Sequence, residues 1–160
     1  MSKGMKCPHC GSPDVFPDHG GLYRDFKDDE DRPWICNGCR GNPKRAFLIC
    51  PVRGVSSEET KGLVEGLEKD GWVVHWPPRD TDQDDPTGLR ICGDNRKAIE
   101  NASVVFFVWD GKSQGCLFDL GMAFAMKKSV RCMSLPPPTE GKSFQNMVKE
   151  WERLETLEEK

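Results

Sequence analysis

The 160-residue chain has no run of apolar residues long enough to cross a membrane. Its longest apolar run, Val104–Trp109, is six residues long, whereas a membrane-spanning helix needs about 20. The first residues, Met-Ser-Lys-Gly-Met-Lys, also lack the apolar centre of a secretory signal. The sequence therefore predicts a soluble protein of the cytoplasm that has no membrane partner.

The chain also has no excess of basic residues. Lys and Arg number 23 against 26 Asp and Glu, which gives a formal net charge of −3. Proteins that coat nucleic acid without sequence preference are usually strongly basic, so this balance argues against such a coat and leaves open only a local basic patch. The length fits one domain, with or without a small appendage.

The eight cysteines fall into two groups that differ in spacing. Four of them form two CxxC pairs with 25 residues between the pairs: Cys7, Cys10, Cys36 and Cys39. Thiolates at this spacing converge on one metal ion, and two such pairs complete a tetrahedral shell. The pattern predicts a closed four-cysteine zinc site, with iron in a rubredoxin-like site as the alternative. The other cysteines have no paired spacing and are expected to be buried thiols.

This metal site predicts that residues 1–43 form a small zinc ribbon, with a short strand at Trp34 and Ile35. About 40 residues bury little apolar surface, so the metal is the expected source of stability. Four sulfur ligands leave no coordination position open, which makes the zinc structural rather than catalytic. Zinc ribbons contact nucleic acids or other proteins, and both classes of partner stay open. The Gly-Asn-Pro at 41–43 marks the domain boundary.

After this boundary, segments typical of strands alternate with segments typical of helices. The predicted strands are Ala46–Cys50, Trp72–Trp76, Ser103–Trp109 and Val130–Leu135. The predicted helices run from about Ser57 to Asp70, from Leu89 or Asp94 to Asn101, over Gly115–Lys127, and over Phe144–Leu154. The polar segment Arg79–Gly88 is expected to be a loop over a site. Residues 44–160 are therefore predicted to form an α/β domain with a parallel sheet and flanking helices.

One carboxylate stands out in this predicted domain. Asp119 lies early in the glycine-rich helix that follows the buried strand ending at Trp109. Ligands of open parallel sheets bind beyond the carboxyl ends of the strands, so Asp119 is expected to face such a crevice. The helix dipole alone also favours an Asp in an early turn, and spacing does not decide between the two interpretations.

Three stretches of the domain, within residues 47–135, have matching places in a known family. They are Cys50-Pro51-Val52-Arg53-Gly54 at the first strand end, Asp94 with Ala98-Ile99 and Ala102-Ser103, and Ser113-x-Gly115-x3-Asp119-Leu120-Gly121-x-Ala123. Together they resemble the nucleoside 2-deoxyribosyltransferases and their nucleotide N-glycosidase relatives. The resemblance implies a flavodoxin-like fold and cleavage or transfer at the N-glycosidic bond of a nucleoside or nucleotide.

The resemblance also implies roles for individual residues. Asp119 takes the place of the nucleophile, and Asp94 that of a carboxyl group that orients the sugar or helps to protonate the departing base. The remaining candidates for substrate binding are Arg53, Gly54, Ser113, Gly115, Trp109 and Asp110. The family assembles its sites from neighbouring subunits, so a homo-oligomer is implied, with the Phe144–Leu154 helix as a candidate contact.

Two positions depart from the family pattern. Ser103 replaces the family's usual aspartate before the third strand, and Asp119 stands where the nucleophile of the family is normally a glutamate. Aspartate is one methylene shorter, and a positioning error of about 1 Å can lower a rate by 10²-fold. The alternative function is therefore a catalytically inactive nucleotide-binding sensor or adaptor that carries a structural zinc ribbon.

Overall fold

The computed structural model describes residues 16–17, 34–35, 44–52 and 57–158, and at 16–17, 34–35, 57 and 158 it describes the backbone alone. Strands β1 (Phe16–Pro17) and β2 (Trp34–Ile35) pair antiparallel, with Phe16 opposite Ile35. The strand expected at Trp34 and Ile35 is therefore confirmed. The predicted boundary at residues 41–43 lies outside the described residues and stays a prediction.

The chain divides into two compact units. The smaller consists of Met1–Lys44 and Glu65–Val73, and the larger of Arg45–Val64 and Val74–Lys160. After β2, the elements in chain order are β3 (Arg45–Ile49), α1 (Ser57–Lys69), β4 (Val73–His75), α2 (Pro77–Asp80), α3 (Leu89–Asn101), β5 (Val104–Val108), α4 (Gln114–Ala125), β6 (Ser129–Ser134) and α5 (Phe144–Glu158).

The predicted α/β architecture is confirmed. Strands β3 to β6 form a four-stranded parallel sheet in the order β4-β3-β5-β6. Strand β4 pairs with one side of β3, and β5 then pairs with the other side of β3. Right-handed crossovers therefore place the β3–β4 connection on one face and the connections to β5 and β6 on the opposite face. The direction of the connections reverses between β3 and β5.

The apolar core follows the pairing register of the sheet. Phe47 lies opposite Val105 and Ile49 opposite Phe107, so alternate residues of neighbouring strands share one face. These side chains are fully buried with Ile99 of α3 and with the following residues of α4, β6 and α5: Leu120, Ala123, Val130 and Val148. Every residue of β5 is buried, as expected for a central parallel strand.

Two elements were missing from the sequence prediction, β1 and α2. Pro77–Asp80 forms α2, a helix of four residues that includes Arg79 and Asp80, so the predicted loop is wrong at these two residues. Four residues are too few to produce a helical hydrophobic period, and two consecutive prolines fit only a helix start. No helix in the part of the chain that the structure describes is both long and apolar enough to span a membrane.

Candidate functional site

The candidate site lies where the connections of the sheet change direction. Cys50 follows β3, and Trp109 and Asp110 follow β5, so the carboxyl ends of the two strands meet at this point. In open parallel sheets the crevice outside such a switch point is the usual place for a ligand. Helix α4 begins four residues beyond Asp110, at Gln114, and brings Asp119 to this end of the sheet.

The loop between β5 and α4 has a shape that its own residues fix. Asp110 Oδ1 accepts hydrogen bonds from the backbone N–H groups of Lys112 at 2.9 Å and of Ser113 at 2.8 Å. These bonds lower the pKa of the exposed Asp110 carboxyl. Gly111 has φ +80°, and a Cβ there would lie 3.1 Å from Pro136 Cγ. Both the backbone conformation and the close contact therefore disfavour a residue larger than glycine. Asp110 thus holds the loop that leads into α4.

The start of α4 is capped by its own sequence. The Ser113 hydroxyl oxygen accepts a hydrogen bond from Cys116 N at 3.4 Å, the geometry of an N-cap. Gly115 is exposed in the first turn, and a Cβ there would meet only Ser113 Oγ, at 3.9 Å. Packing therefore does not require glycine at this position. The two candidates lie together at the helix terminus that faces the carboxyl end of β5.

Asp119 is the only charged residue of α4, and it lies on the buried side of the helix. It shares that side with Cys116, Leu120 and Ala123, at the spacing of one helix face. The Asp119 residue is 8% exposed. Burial raises the pKa of its carboxyl to about 6, and a hydrogen bond from Asn95 opposes part of that rise. A carboxylate in this position is thus poised close to neutral pH.

The two oxygens of Asp119 have different surroundings. Oδ2 accepts a hydrogen bond from Asn95 Nδ2 at 3.1 Å, while Oδ1 has no partner in the described part of the chain. Within those residues, the only fully buried side-chain N or O atom without a partner is Trp76 Nε1. Asp119 Oδ1 also lacks a partner among these residues, but it is not fully buried. It therefore retains contact with solvent. Asn95 thus holds Oδ2, whereas Oδ1 is accessible to solvent.

Asn95 is held in turn by a hydrogen-bonded chain. Its Oδ1 accepts from the Thr81 hydroxyl at 3.0 Å, and Thr81 Oγ1 lies 2.9 Å from His75 Nε2. Thr81 and Asn95 are both buried, 5% and 6% exposed. The His75 ring stacks on Phe47, with 5.3 Å between ring centroids. The chain runs from β4, through the segment after α2, to α3 and α4.

Within the described residues, Asp94 forms no hydrogen bond with this chain and pairs instead with basic residues of α3. Its side chain is 41% exposed and forms ion pairs with Arg90 at 3.8 Å and Lys97 at 3.5 Å. Helix α3 begins at Leu89, so Asp94 lies in the second turn and is not an N-cap residue. The residue that the structure places against Asp119 is the next one, Asn95, and the role implied for Asp94 stays a prediction.

Three thiols surround Asp119 and are poor nucleophiles. Burial raises the pKa of Cys50 to about 11 and of Cys116 to about 12, and it also raises that of Cys92. The Trp76 indole N–H offsets part of the rise at Cys50, although the two groups do not reach full hydrogen-bond geometry. The reactive form of a thiol is its thiolate, so these groups are inert at neutral pH. The expectation of buried thiols is confirmed for Cys50 and Cys116, while Cys92 and Cys132 are only partly buried.

Trp109 is part of the core. It is 8% exposed, stacks on Phe107 and meets Phe144 edge-on, and its Nε1 donates to Ser113 O at 3.2 Å. Phe144 is therefore engaged with the core at its own end of α5. The contacts of Trp109 position the loop at the start of α4, and a role in holding a ligand stays a prediction.

Six residues predicted for sites lie outside the described residues: Cys7, Cys10, Cys36, Cys39, Arg53 and Gly54. Among the residues that are described, no group of three or more His, Cys, Asp or Glu side chains is arranged to hold a metal ion. The zinc site and the Arg53 loop therefore remain predictions from the sequence.

Sequence reasoning missed Asn95 and Thr81. The apolar period of α3 contained the signal for the first of these. Asn95 and Ile99 are the buried residues of α3 and lie four positions apart, on one helix face. A polar residue in register with the apolar side of a helix must find a buried partner. Thr81 lies in an irregular segment where no periodicity indicates burial.

Comparison of the chain with protein-family models and with curated proteins gives no match in either case.

Proposed function

We propose that the domain is flavodoxin-like, is related to the nucleoside 2-deoxyribosyltransferases, and cleaves or transfers the N-glycosidic bond of a nucleoside or nucleotide. The observation that carries this proposal is the state of Asp119. Its carboxylate is largely buried at the switch point of the sheet, with Oδ2 held by Asn95 and Oδ1 open. The strand order β4-β3-β5-β6 agrees with the flavodoxin-like order.

The reaction assigns a different task to each Asp119 oxygen. Breaking an N-glycosidic bond develops oxocarbenium character at C1′ of the sugar, which a nearby carboxylate stabilises or attacks. Oδ1 forms the bond to C1′ while the base leaves with the bonding electron pair and takes up a proton. Water or an acceptor base then displaces the carboxylate. The pKa of about 6 leaves Asp119 ionised, and so able to attack, at neutral pH.

The leaving base needs a proton, and the sugar needs an anchor. Asp94 is the residue implied for the proton, although it lies on the exposed side of α3, one position from Asn95. The Ser113 hydroxyl and the first-turn amides of α4 near Gly115 suit a 5′-hydroxyl or 5′-phosphate, together with Arg53. The capped start of α4 at the carboxyl end of β5 supports this assignment.

A second candidate function is nucleotide binding without reaction. The low exposure of Asp119, 8%, favours it, because a shorter side chain on the buried side of α4 has less reach toward C1′ than a glutamate. In this case the domain is a nucleotide sensor or adaptor, and Asp119 contacts the sugar without forming a bond.

The test is base release from a panel of ribo- and deoxynucleosides and their 5′-phosphates, followed by chromatography. The full-length chain is compared with Asp119→Asn and with the control Asp82→Asn, an exposed aspartate whose side chain is 69% accessible. Release by the wild type and the control, but not by Asp119→Asn, supports catalysis. Ligand-induced thermal stabilisation without release supports the binding function. Neither release nor stabilisation contradicts both.

We also propose that the two CxxC pairs bind one structural zinc ion. Antiparallel strands β1 and β2 lie between the pairs in sequence, and β2 ends directly before Cys36. An antiparallel strand pair between the two knuckles supports this proposal. Metal analysis of the purified chain is expected to give one zinc per chain, reduced in a Cys36→Ser variant. A metal-free but folded protein would contradict this proposal.

A further inference from the structure

The hydrogen bonds that link His75, Thr81 and Asn95 to Asp119 all donate in one direction. Thr81 has one hydroxyl proton, and it donates that proton to Asn95 Oδ1. The Thr81 oxygen is then left to accept a proton from its other neighbour, His75 Nε2, at 2.9 Å. Asn95 in turn donates from Nδ2 to Asp119 Oδ2. Every donor therefore points toward the carboxylate, and the His75 tautomer that satisfies the chain carries its proton on Nε2.

Asn95 needs this support because its amide has two nearly equivalent orientations. The oxygen and nitrogen of an asparagine side chain have almost the same size, so only their partners decide which one faces Asp119. With Thr81 donating to Oδ1, the amide presents Nδ2 to the carboxylate. The ionised carboxylate favours the same orientation. Without the Thr81 donor, Asn95 Oδ1 loses the hydrogen bond that fixes the amide, and the bond from Nδ2 to Asp119 Oδ2 is weakened.

We infer that Thr81 and His75 are positioning residues for Asp119. They act through Asn95, which they lock so that Oδ2 is bound and Oδ1 is directed to the substrate. This inference rests on the proposed function for the meaning of Oδ1, but the chain itself is measurable without turnover. Burial supports it as well, since Thr81 is 5% and Asn95 6% exposed, and buried hydrogen bonds hold geometry more firmly than exposed ones.

Few other ionisable groups affect Asp119 in the described part of the chain. Those whose charge interacts with Asp119 are the thiols of Cys50, Cys92 and Cys116, and all three have raised pKa values. At the other end of the chain, His75 feels the charges of Asp80, Arg79 and Asp94, while its partial burial lowers its pKa. Near neutral pH the three thiols are therefore uncharged. The pKa of His75 lies below its ordinary value, so its protonation is followed by nitrogen NMR alongside the titration of Asp119.

The experiment uses four variants of the full-length chain. Thr81→Val removes the hydroxyl at nearly constant volume, Thr81→Ser retains it, and His75→Phe keeps an aromatic ring beside Phe47 but removes the ring N–H. Thr87→Val is the matched control, because the Thr87 hydroxyl is exposed and bonds only within its own turn, to Asp85 and Leu89. Thermal unfolding establishes that each variant is folded.

The Asp119 titration and base release are the two readouts for every variant, and the His75 tautomer is determined in the variants that keep this residue. Carboxyl carbon NMR follows the titration of Asp119, and nitrogen NMR identifies the tautomer of His75. We expect an Nε2–H tautomer in the wild type and an Asp119 pKa that rises by about half a unit or more in Thr81→Val, since the bond from Asn95 to the carboxylate is weakened. Base release is expected to fall about tenfold in kcat, with little change in KM, because Oδ1 is misaligned. His75→Phe is expected to move both readouts in the same direction by less, whereas Thr81→Ser and Thr87→Val should stay near the wild type.

The two readouts separate this inference from the proposed function. If the wild type releases no base, but the Asp119 pKa rises in Thr81→Val and returns in Thr81→Ser, the positioning chain stands and the proposed reaction is overturned. If Thr81→Val leaves the pKa of Asp119 unchanged, the positioning chain is overturned, whatever the activity. An Nδ1–H tautomer of His75 also overturns it, because the chain then runs in the opposite direction.

Discussion

Asp119 and Glu155 are helix carboxylates that meet the parallel sheet at different places, and their oxygens have different partners. Glu155 of α5 lies along β6, where Oε2 accepts a hydrogen bond from Val130 N at 2.9 Å and Oε1 accepts one from Trp151 Nε1 at 2.6 Å. Asp119 of α4 lies at the carboxyl end of the sheet, where Asn95 donates to its Oδ2. Counted over the described residues, Glu155 has donors on both oxygens, whereas Asp119 has a donor on one.

This difference follows from what each position requires. Strand β6 is at the edge of the sheet, so its outward amides need acceptors. Glu155 supplies one of them, and Glu152 supplies another, since its Oε1 accepts from Cys132 N at 3.0 Å. These two carboxylates therefore satisfy the outward N–H groups of the edge strand. Among the described residues, Asp119 does not pair with an edge strand. Its burial, opposed only in part by the hydrogen bond from Asn95, raises the pKa of its carboxyl to about 6. An incompletely paired, buried carboxylate is costly for the fold and is a typical feature of a reactive site.

The largest expected effect is on activity, and it separates the two carboxylates. Asp119→Asn removes the proposed nucleophile and is expected to lower base release by roughly 10³-fold or more. Glu155→Gln makes the same change of charge on the edge strand and should leave base release per folded molecule close to the wild-type value. Chromatography of released base measures both. Equal losses in the two variants would show that the effect arises from charge or folding and not from chemistry at Asp119.

The next effect is on stability, where the same two variants are expected to differ in sign. A pKa raised from 3.8 to about 6 means that ionised Asp119 destabilises the fold by about 3 kcal/mol above pH 6. Asp119→Asn should recover up to that amount at pH 8. Glu155→Gln turns one acceptor into a donor facing Val130 N or Trp151 Nε1 and should cost about 1–3 kcal/mol. Urea unfolding at pH 8 gives both values, and a destabilised Asp119→Asn would contradict the assigned environment.

The pH dependence sharpens this comparison further. Because the pKa of Asp119 is raised in the folded state, the wild type loses this part of its stability as the pH rises from about 4 to about 6. The gain from Asp119→Asn should therefore be absent at pH 4 and complete above pH 7. In the same interval base release should increase with pH, since only the ionised carboxylate attacks. A gain from Asp119→Asn that does not vary with pH would contradict the raised pKa.

The sequence predicted the sheet well because buried parallel strands have a plain signal. The run Val104–Trp109 can be little else than a central strand, and its structural counterpart β5 is Val104–Val108. The helix that carries Asp119 was also predictable, from its position after that strand and its small residues. In both cases local composition and hydrophobic pattern are sufficient to indicate the element.

The partners of Asp119 were not predictable in the same way. Asp94 was selected because it matches the aspartate-bearing helix of the family that the sequence resembles, but α3 turns about 100° per residue, so its neighbour Asn95 takes the buried position. Thr81 comes from a polar segment with no period, and its contact with Asn95 joins residues 14 positions apart. Such contacts depend on how β4, α3 and α4 converge in space, and one sequence does not contain that geometry in readable form.

The smallest effect is expected from Asp94→Asn, which compares the two neighbours on α3. Asp94 is 41% exposed on its side chain and pairs only with Arg90 and Lys97 on the helix surface, so its loss should change stability by less than about 0.5 kcal/mol. Asn95→Ala removes the donor to Asp119 Oδ2 and the acceptor of the Thr81 hydroxyl proton, and should cost about 1–3 kcal/mol. Base release by both variants decides which neighbour serves the reaction. A fall of about 10²-fold in Asp94→Asn, with stability unchanged, would assign the leaving-group proton to Asp94, as general acids contribute at that level. If base release falls further in Asn95→Ala than in Asp94→Asn, the main contribution of α3 to the reaction is the alignment of Asp119 by Asn95.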